Sequence, residues 1–170
     1  MNDSEAIRLK RAVRIFNDQA IPKDIILTIL NAGRRAQSSK NTQPWEFIAI
    51  TNKPTLKSLA DCGAYAGHLA GAALGVAIVH PDPGEKFQTM FDIGQAAAYM
   101  QLIAWELGIG SCLASIYAPD KARGILGFPQ ELSLNVAISF GYPQDVDDLI
   151  KQPKKTGRKP LGDILHWDRW

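Results

Sequence analysis

Near the N-terminus, Lys10-Arg11-Ala12-Val13-Arg14 gathers three cations within five positions. Arginine offers a planar fork of donors and lysine a point charge, so the cluster suits a phosphate; a solvated basic turn beside a helix is the plainer alternative. Further on, the polar stretch Gln37-Ser38-Ser39-Lys40-Asn41-Thr42-Gln43 runs into Pro44-Trp45. Such a loop can turn backbone and amide groups toward a heteroaromatic edge, and Gln-Pro-Trp fixes an extended entry into the next strand; an ordinary capped loop over a core tryptophan has the same composition. Little else offers chemistry carried by the protein itself. There is no phosphate loop, no His-Glu-x-x-His and no Gly-x-Ser-x-Gly elbow. His68, His80 and His166 are scattered and read as structural or surface residues. Cys62 and Cys112 lack metal-ligand spacing and read as buried free thiols. No catalytic side chain and no metal site is expected, so an enzymatic role points to a cofactor that does the chemistry.

The elements that must position these groups are legible from periodicity. A short helix capped by Asp3 or Ser4 leads into the basic turn, and a second helix runs from Pro22, with Ile25, Ile26, Ile29 and Leu30 on one face. Glu46 to Thr51 and the more continuously apolar Leu74 to His80 read as strands, with a helix over Pro54 to Cys62 between them. The longest helix is expected over Asp92 to Leu107, alanine-rich and stopped by Gly108. Gly108-Ile109-Gly110 lacks the third glycine of a dinucleotide fingerprint and reads as a helix-to-strand turn. A strand over Ser111 to Ser115, a helix over Pro119 to Leu126 and a strand over Leu134 to Phe140 complete an α+β chain with a mixed or antiparallel central sheet.

With 170 residues, 46% of them hydrophobic, the chain can bury one substantial core and is expected to form one domain over residues 1–170, with an extended basic tail from about residue 151. A formal net charge of +2 gives no bulk reason to expect nucleic acid or a membrane as partner. The first residues hold no apolar signal core and no stretch is apolar enough to span a bilayer, so the expected location is the cytoplasm.

Three segments together resemble the FMN-dependent nitroreductase family in its short form, and in the family's order. Lys10 to Phe16 resembles Arg-Arg-Ser-x-Arg-x-Phe; Ala36 to Phe47 is similar to Ala-Pro-Ser-x-x-Asn-x-Gln-Pro-Trp-x-Phe and is the most specific match. The third joins the glycine turn Leu107 to Ser115 with the basic tail Arg158 to Asp168. The chain departs at Ala12, where the family has Ser, at Gln37, where it has Pro, and at Ala72-Ala73-Leu74-Gly75, which lacks the usual Ala-Pro before a strand.

The resemblance implies a central sheet flanked by helices, completed by dimerisation, with FMN held between the two subunits. It places Lys10, Arg11, Ala12 and Arg14 along the phosphate, ribityl chain and pyrimidine edge, Ala12 without the hydroxyl contact. It places Ser38, Ser39, Asn41 and Gln43 at the ring edge, on a loop that can come from the opposite chain. Ala114 and Ser115 present main-chain groups near flavin N5, and Arg158 and Lys159 return to the phosphate. It further implies ping-pong transfer from NADH or NADPH to a nitroaromatic, quinone or similar acceptor, with Pro81 to Phe91 as a candidate wall over the ring. A flavin-binding protein with a sensing, storage or structural role is the alternative, and flavin fragmentation or dehalogenation a further family chemistry.

Overall fold

From Leu74 to His80 every residue is buried, which requires a strand covered on both faces. The computed structural model describes residues 3–82, 84, 87–151 and 157–170, and places this run near the centre of the molecule. Its elements are α1 (Asp3–Leu9), α2 (Lys23–Arg34), β1 (Glu46–Ile50), α3 (Lys53–Ala60), β2 (Leu74–Pro81), α4 (Gln88–Glu106), β3 (Gly110–Ser115), α5 (Pro119–Leu126) and β4 (Leu132–Gly141). The strands form one sheet in the order β1-β2-β4-β3, with every neighbouring pair antiparallel.

Alternation along the strands divides the core into two layers. Leu74, Val76, Ile78, Ile138 and Phe140 meet Ile29 of α2 and Ile93, Ala96 and Met100 of α4. On the other face, Ala77, Val79, Ala114 and Ala137 meet Leu56 and Leu59 of α3, Leu69, and Ala122 of α5. The helix ends obey local chemistry. Asn52 accepts the Thr55 N–H (3.0 Å) to cap α3, and Gly127, at φ 73°, ends α5 in the left-handed conformation glycine adopts freely.

The helix α4 begins at Gln88 rather than at Asp92. Phe87, Met90 and Phe91 in and before its first turn are exposed, so that turn presents no core-facing periodicity from which a start could be read. Of the expected wall Pro81 to Phe91, residues 83, 85 and 86 lie outside the described residues.

The basic segment is strapped to the sheet. Ala12 bridges Ser111 in parallel and Phe16 bridges Pro143 antiparallel; the Val13 N–H donates to Ser111 O (3.0 Å) and the Gln144 N–H to Ile15 O (3.1 Å). Residues 157–170 are exposed throughout, with one 3-10 turn at Leu161–Asp163 and the His166 ring stacked on Trp170 at 4.1 Å between centroids. Among the described residues, no helix is long and apolar enough to cross a membrane.

Candidate functional site

The edge strand β3 sets what the basic segment can reach. Because Ser111 O accepts from Val13, the main-chain groups of Ser111 point away from β4, and alternation turns those of Leu113 and Ser115 the same way. Cys112 and Ala114 then face β4, opposite Ser139 and Ala137; the Ile116 N–H, donating to Asn135 O (2.9 Å), continues that parity. Ala114 is buried in the layer beneath α3 and α5, so of the two positions expected to face a ring, only Ser115 turns its main-chain groups away from β4, its carbonyl packed against Gly63, and Leu113 lies on the same edge.

Along this edge opens a cleft of about 600 Å³ lined by Arg14, Tyr65, Gly67, His68 and Leu113. Thus the structure brings the first and third motifs together and adds Tyr65 and His68, which no motif contains. His68 Nδ1 lies 2.7 Å from Ser139 Oγ, while its Nε2 is buried without a partner among the described residues. Burial and then the charge of Arg14 push the His68 pKa down, favouring the neutral ring, with the Leu113 backbone pulling the other way. Burial likewise lowers the pKa of Lys10, opposed by Cys112. Cys112 is pushed up by burial against the pull of Arg14 and Lys10, and both thiols are free and buried.

Arg11 is half-buried, and its Nε and Nη2 atoms have no hydrogen-bond partner among the described residues. It does not line the Arg14 cleft. Ala12 is exposed and offers only main-chain groups.

The second motif is a tightly braced loop. Ser38 Oγ accepts the Gln43 N–H (2.9 Å), and the Ser39 N–H donates to the carboxylate of Asp92 (3.1 Å), itself buried at the start of α4. Lys40, Asn41 and Gln43 all have positive φ, at 52°, 55° and 48°. Three non-glycine residues held in the left-handed region within four positions store strain that recurs at binding and catalytic loops. Ser39, Asn41 and Gln43 are exposed and Ser38 is half-buried. A second cleft, of about 350 Å³, is lined there by Gln37, Ser38, Ser39, Phe87, Phe91 and Asp92, among others.

The helix α4 keeps the two clusters apart. Asp92 holds the Ser39 loop, whereas Gln101 donates to Ser111 Oγ (3.1 Å) beneath the basic segment. Nine residues are two and a half helical turns, so the two side chains leave opposite sides of α4, about 14 Å apart along its axis. Both are buried. Arg158 and Lys159 are exposed on the tail, and among the described residues Arg158 donates only to Gly157 O (3.3 Å). They join neither cluster within one chain.

A family model described as the nitroreductase family matches residues 7–63 and 58–142, a span that includes the basic segment, the Ser38–Gln43 loop and β3. The chain belongs to the nitroreductase family. It is similar to a protein of Archaeoglobus fulgidus whose name joins NADH dehydrogenase with NAD(P)H nitroreductase, at 26% identity over 96% of both chains. A protein of Thermus thermophilus named NADH dehydrogenase is 23% identical over 97% of this chain and 96% of its own. Among solved structures, an FMN-dependent nitroreductase from Clostridium difficile superposes with a TM-score of 0.86 at 28% identity, covering 98% of this chain and 99% of that one. The fold of this nitroreductase-family chain is α+β, four antiparallel strands flanked by helices, as the resemblance implied.

Proposed function

We propose that this chain is an FMN-dependent oxidoreductase, carrying reducing equivalents from NADH or NADPH to a nitroaromatic, a quinone or a similar small organic acceptor. The observation that carries the reading is Arg11, whose Nε and Nη2 are held out of water with no acceptor among the described residues. Guanidinium donors left in that state are costly, and a phosphate bearing close to two negative charges matches them. The family and the name of the similar C. difficile structure support the same cofactor.

In this reading Lys10 and Arg11 hold the phosphate and ribityl end, and Arg14 in the cleft places positive charge against the pyrimidine edge, where reduction leaves negative charge. Leu113, which lines the cleft on the edge of β3 turned away from β4, would offer its main-chain groups to the ring, with Ser115 next along that edge; Ala114, turned toward β4, would not. When bound, FMN would supply the hydride chemistry, taking reducing equivalents from the nicotinamide and passing them to the acceptor in a ping-pong scheme. No side chain is required as acid or base.

The working unit is a homodimer of single-domain chains. Asp92, which holds the Ser38–Gln43 loop, and Gln101, which bonds Ser111 beneath the basic segment, leave opposite sides of α4, and the exposed Phe87 and Phe91 stand beside the loop. A second copy seated on those rings sets its own Arg14 cleft against this loop, and Ser38, Ser39, Asn41 and Gln43 then close the ring edge from across the interface. The exposed tail carries Arg158 and Lys159 back to a phosphate in the same assembly. The deciding experiment is denaturation of the purified protein: release of FMN rather than FAD, together with steady oxidation of NADH or NADPH by a quinone or nitroaromatic, supports the reading. Colourless protein that also fails to bind added FMN overturns it.

A further inference from the structure

Spacing alone makes His68 a scattered, structural histidine, yet it reaches Ser139, 71 positions away, and lines the Arg14 cleft. Its contacts fix more than its position. The Ser139 hydroxyl has a single proton and two nearby acceptors, His68 Nδ1 at 2.7 Å and Cys112 O at 3.4 Å. A contact of 2.7 Å is a full hydrogen bond and one of 3.4 Å is at the limit of bonding, so the hydroxyl proton makes the stronger bond when it is given to Nδ1. With the proton given to Nδ1, the ring's own hydrogen sits on Nε2, the atom that is buried and unpartnered among the described residues.

We infer that Ser139 fixes His68 as a neutral Nε2–H donor beside Arg14, and that this donor binds the electron-rich pyrimidine edge of the flavin ring. The two groups divide the work. Arg14 supplies charge, whereas His68 supplies a directed donor that adds no charge and so discriminates an acceptor edge from any other anion. Ser139, which touches only His68 and the Cys112 carbonyl among the described hydrogen bonds, is a positioning residue. This role for His68 rests on FMN being the ligand of the cleft, and neither the motifs nor the family match singles the residue out.

The test pairs two substitutions that place an amide at opposite ends of the imidazole. His68→Gln puts an N–H donor where Nε2 stands; His68→Asn reaches only the Nδ1 position and can still meet Ser139. FMN titration of the apoproteins, read by quenching of flavin fluorescence, is expected to show His68→Asn about three- to tenfold weaker than the parent, the range of one neutral hydrogen bond. His68→Gln is expected within about twofold of the parent on the same reasoning. The ¹⁵N shifts of the ring are expected to report a protonated Nε2 in the parent, and a mixture of tautomers in Ser139→Ala with FMN binding partly weakened. Equal FMN affinity for the parent, His68→Asn and His68→Gln overturns the contact, and a ring protonated on Nδ1 in the parent overturns the role of Ser139. If the parent binds no FMN, the proposed function fails first and this contact with it; if the parent binds FMN and the variants match it, only the contact falls.

Discussion

Gly110 leaves the space that Val13 fills: a Cβ built on Gly110 stands 2.6 Å from Val13 Cβ, too close for any side chain to share the position. Since Val13 Cβ moves only with its backbone, Gly110→Ala pushes the strap of residues 10–16 off β3. Overpacking of this kind costs about 1–3 kcal/mol. Urea unfolding of the apoprotein is expected to show that loss, and FMN titration a larger proportional loss of affinity, because Lys10, Arg11 and Arg14 all ride on the strap. Parent-like stability and affinity together contradict the packing.

Lys10 acts in opposite directions on stability and on binding. Burial lowers its pKa in the apoprotein, so the fold disfavours its charged form. That penalty is fully present below the lowered pKa and is relieved as pH rises through it toward the unfolded value. Lys10→Met is therefore expected to stabilise the apoprotein at neutral pH, with the gain fading in the alkaline window below the ordinary lysine value. The same substitution weakens FMN binding, because it removes a cation from the proposed phosphate site; in the window where Lys10 has lost its proton, a bound phosphate restores it. Calorimetric titrations of the parent in two buffers of different ionisation enthalpy are expected to show proton uptake on FMN binding inside that window. No difference between the buffers there removes Lys10 from the phosphate site.

Legibility in the sequence depends on how locally each feature is encoded. The strands over residues 46–50 and 74–81, and the helix from Pro119 to Leu126, carry their own periodicity and caps, and the structure has them within a residue or two. The first turn of α4 is hidden because Phe87, Met90 and Phe91 face outward, leaving no core-facing pattern. At the candidate site, the basic strap and the Ser38–Gln43 loop are legible as motifs. Parity on β3 is not, since it depends on which edge Val13 binds, and for that reason the resemblance names Ala114 and Ser115 alike although the main chain of Ala114 faces β4. His68 is illegible for a stronger reason: its meaning lies in Ser139, and no spacing within the sequence joins them.

The exposed aromatic stripe at the start of α4 tests the assembly. Phe87 and Phe91 pack edge to face at 6.0 Å between centroids and are 64% and 69% exposed in the single chain. Apolar surface of this kind is what an interface between copies would cover in the proposed dimer. Phe91→Asp is expected to shift the protein from dimer to monomer in light scattering and to release FMN, while the monomer keeps the far-ultraviolet circular dichroism of the parent. A variant that stays dimeric with full flavin occupancy moves the interface elsewhere.

Arg11→Ala separates a ligand contact from a surface charge. Its Nε and Nη2 are buried and unpartnered among the described residues, so removing them takes away a desolvation cost in the apoprotein and no described hydrogen bond. Apoprotein stability is therefore expected to hold or rise slightly. Affinity for FMN moves the other way: losing a charge-assisted hydrogen bond costs about 1.5–3 kcal/mol, a roughly ten- to hundredfold weakening. Arg11→Lys keeps the charge without the fork and is expected to fall between parent and Arg11→Ala. Salt distinguishes the two origins, because a contact held out of water is screened far less than a charge on a solvated face. Titrating apoprotein with FMN at low and high salt is thus expected to show the Arg11→Ala deficit at both. If the deficit appears only at low salt, Arg11 acts as general positive charge; if it appears at neither, the phosphate lies with Lys10 and Arg14 alone.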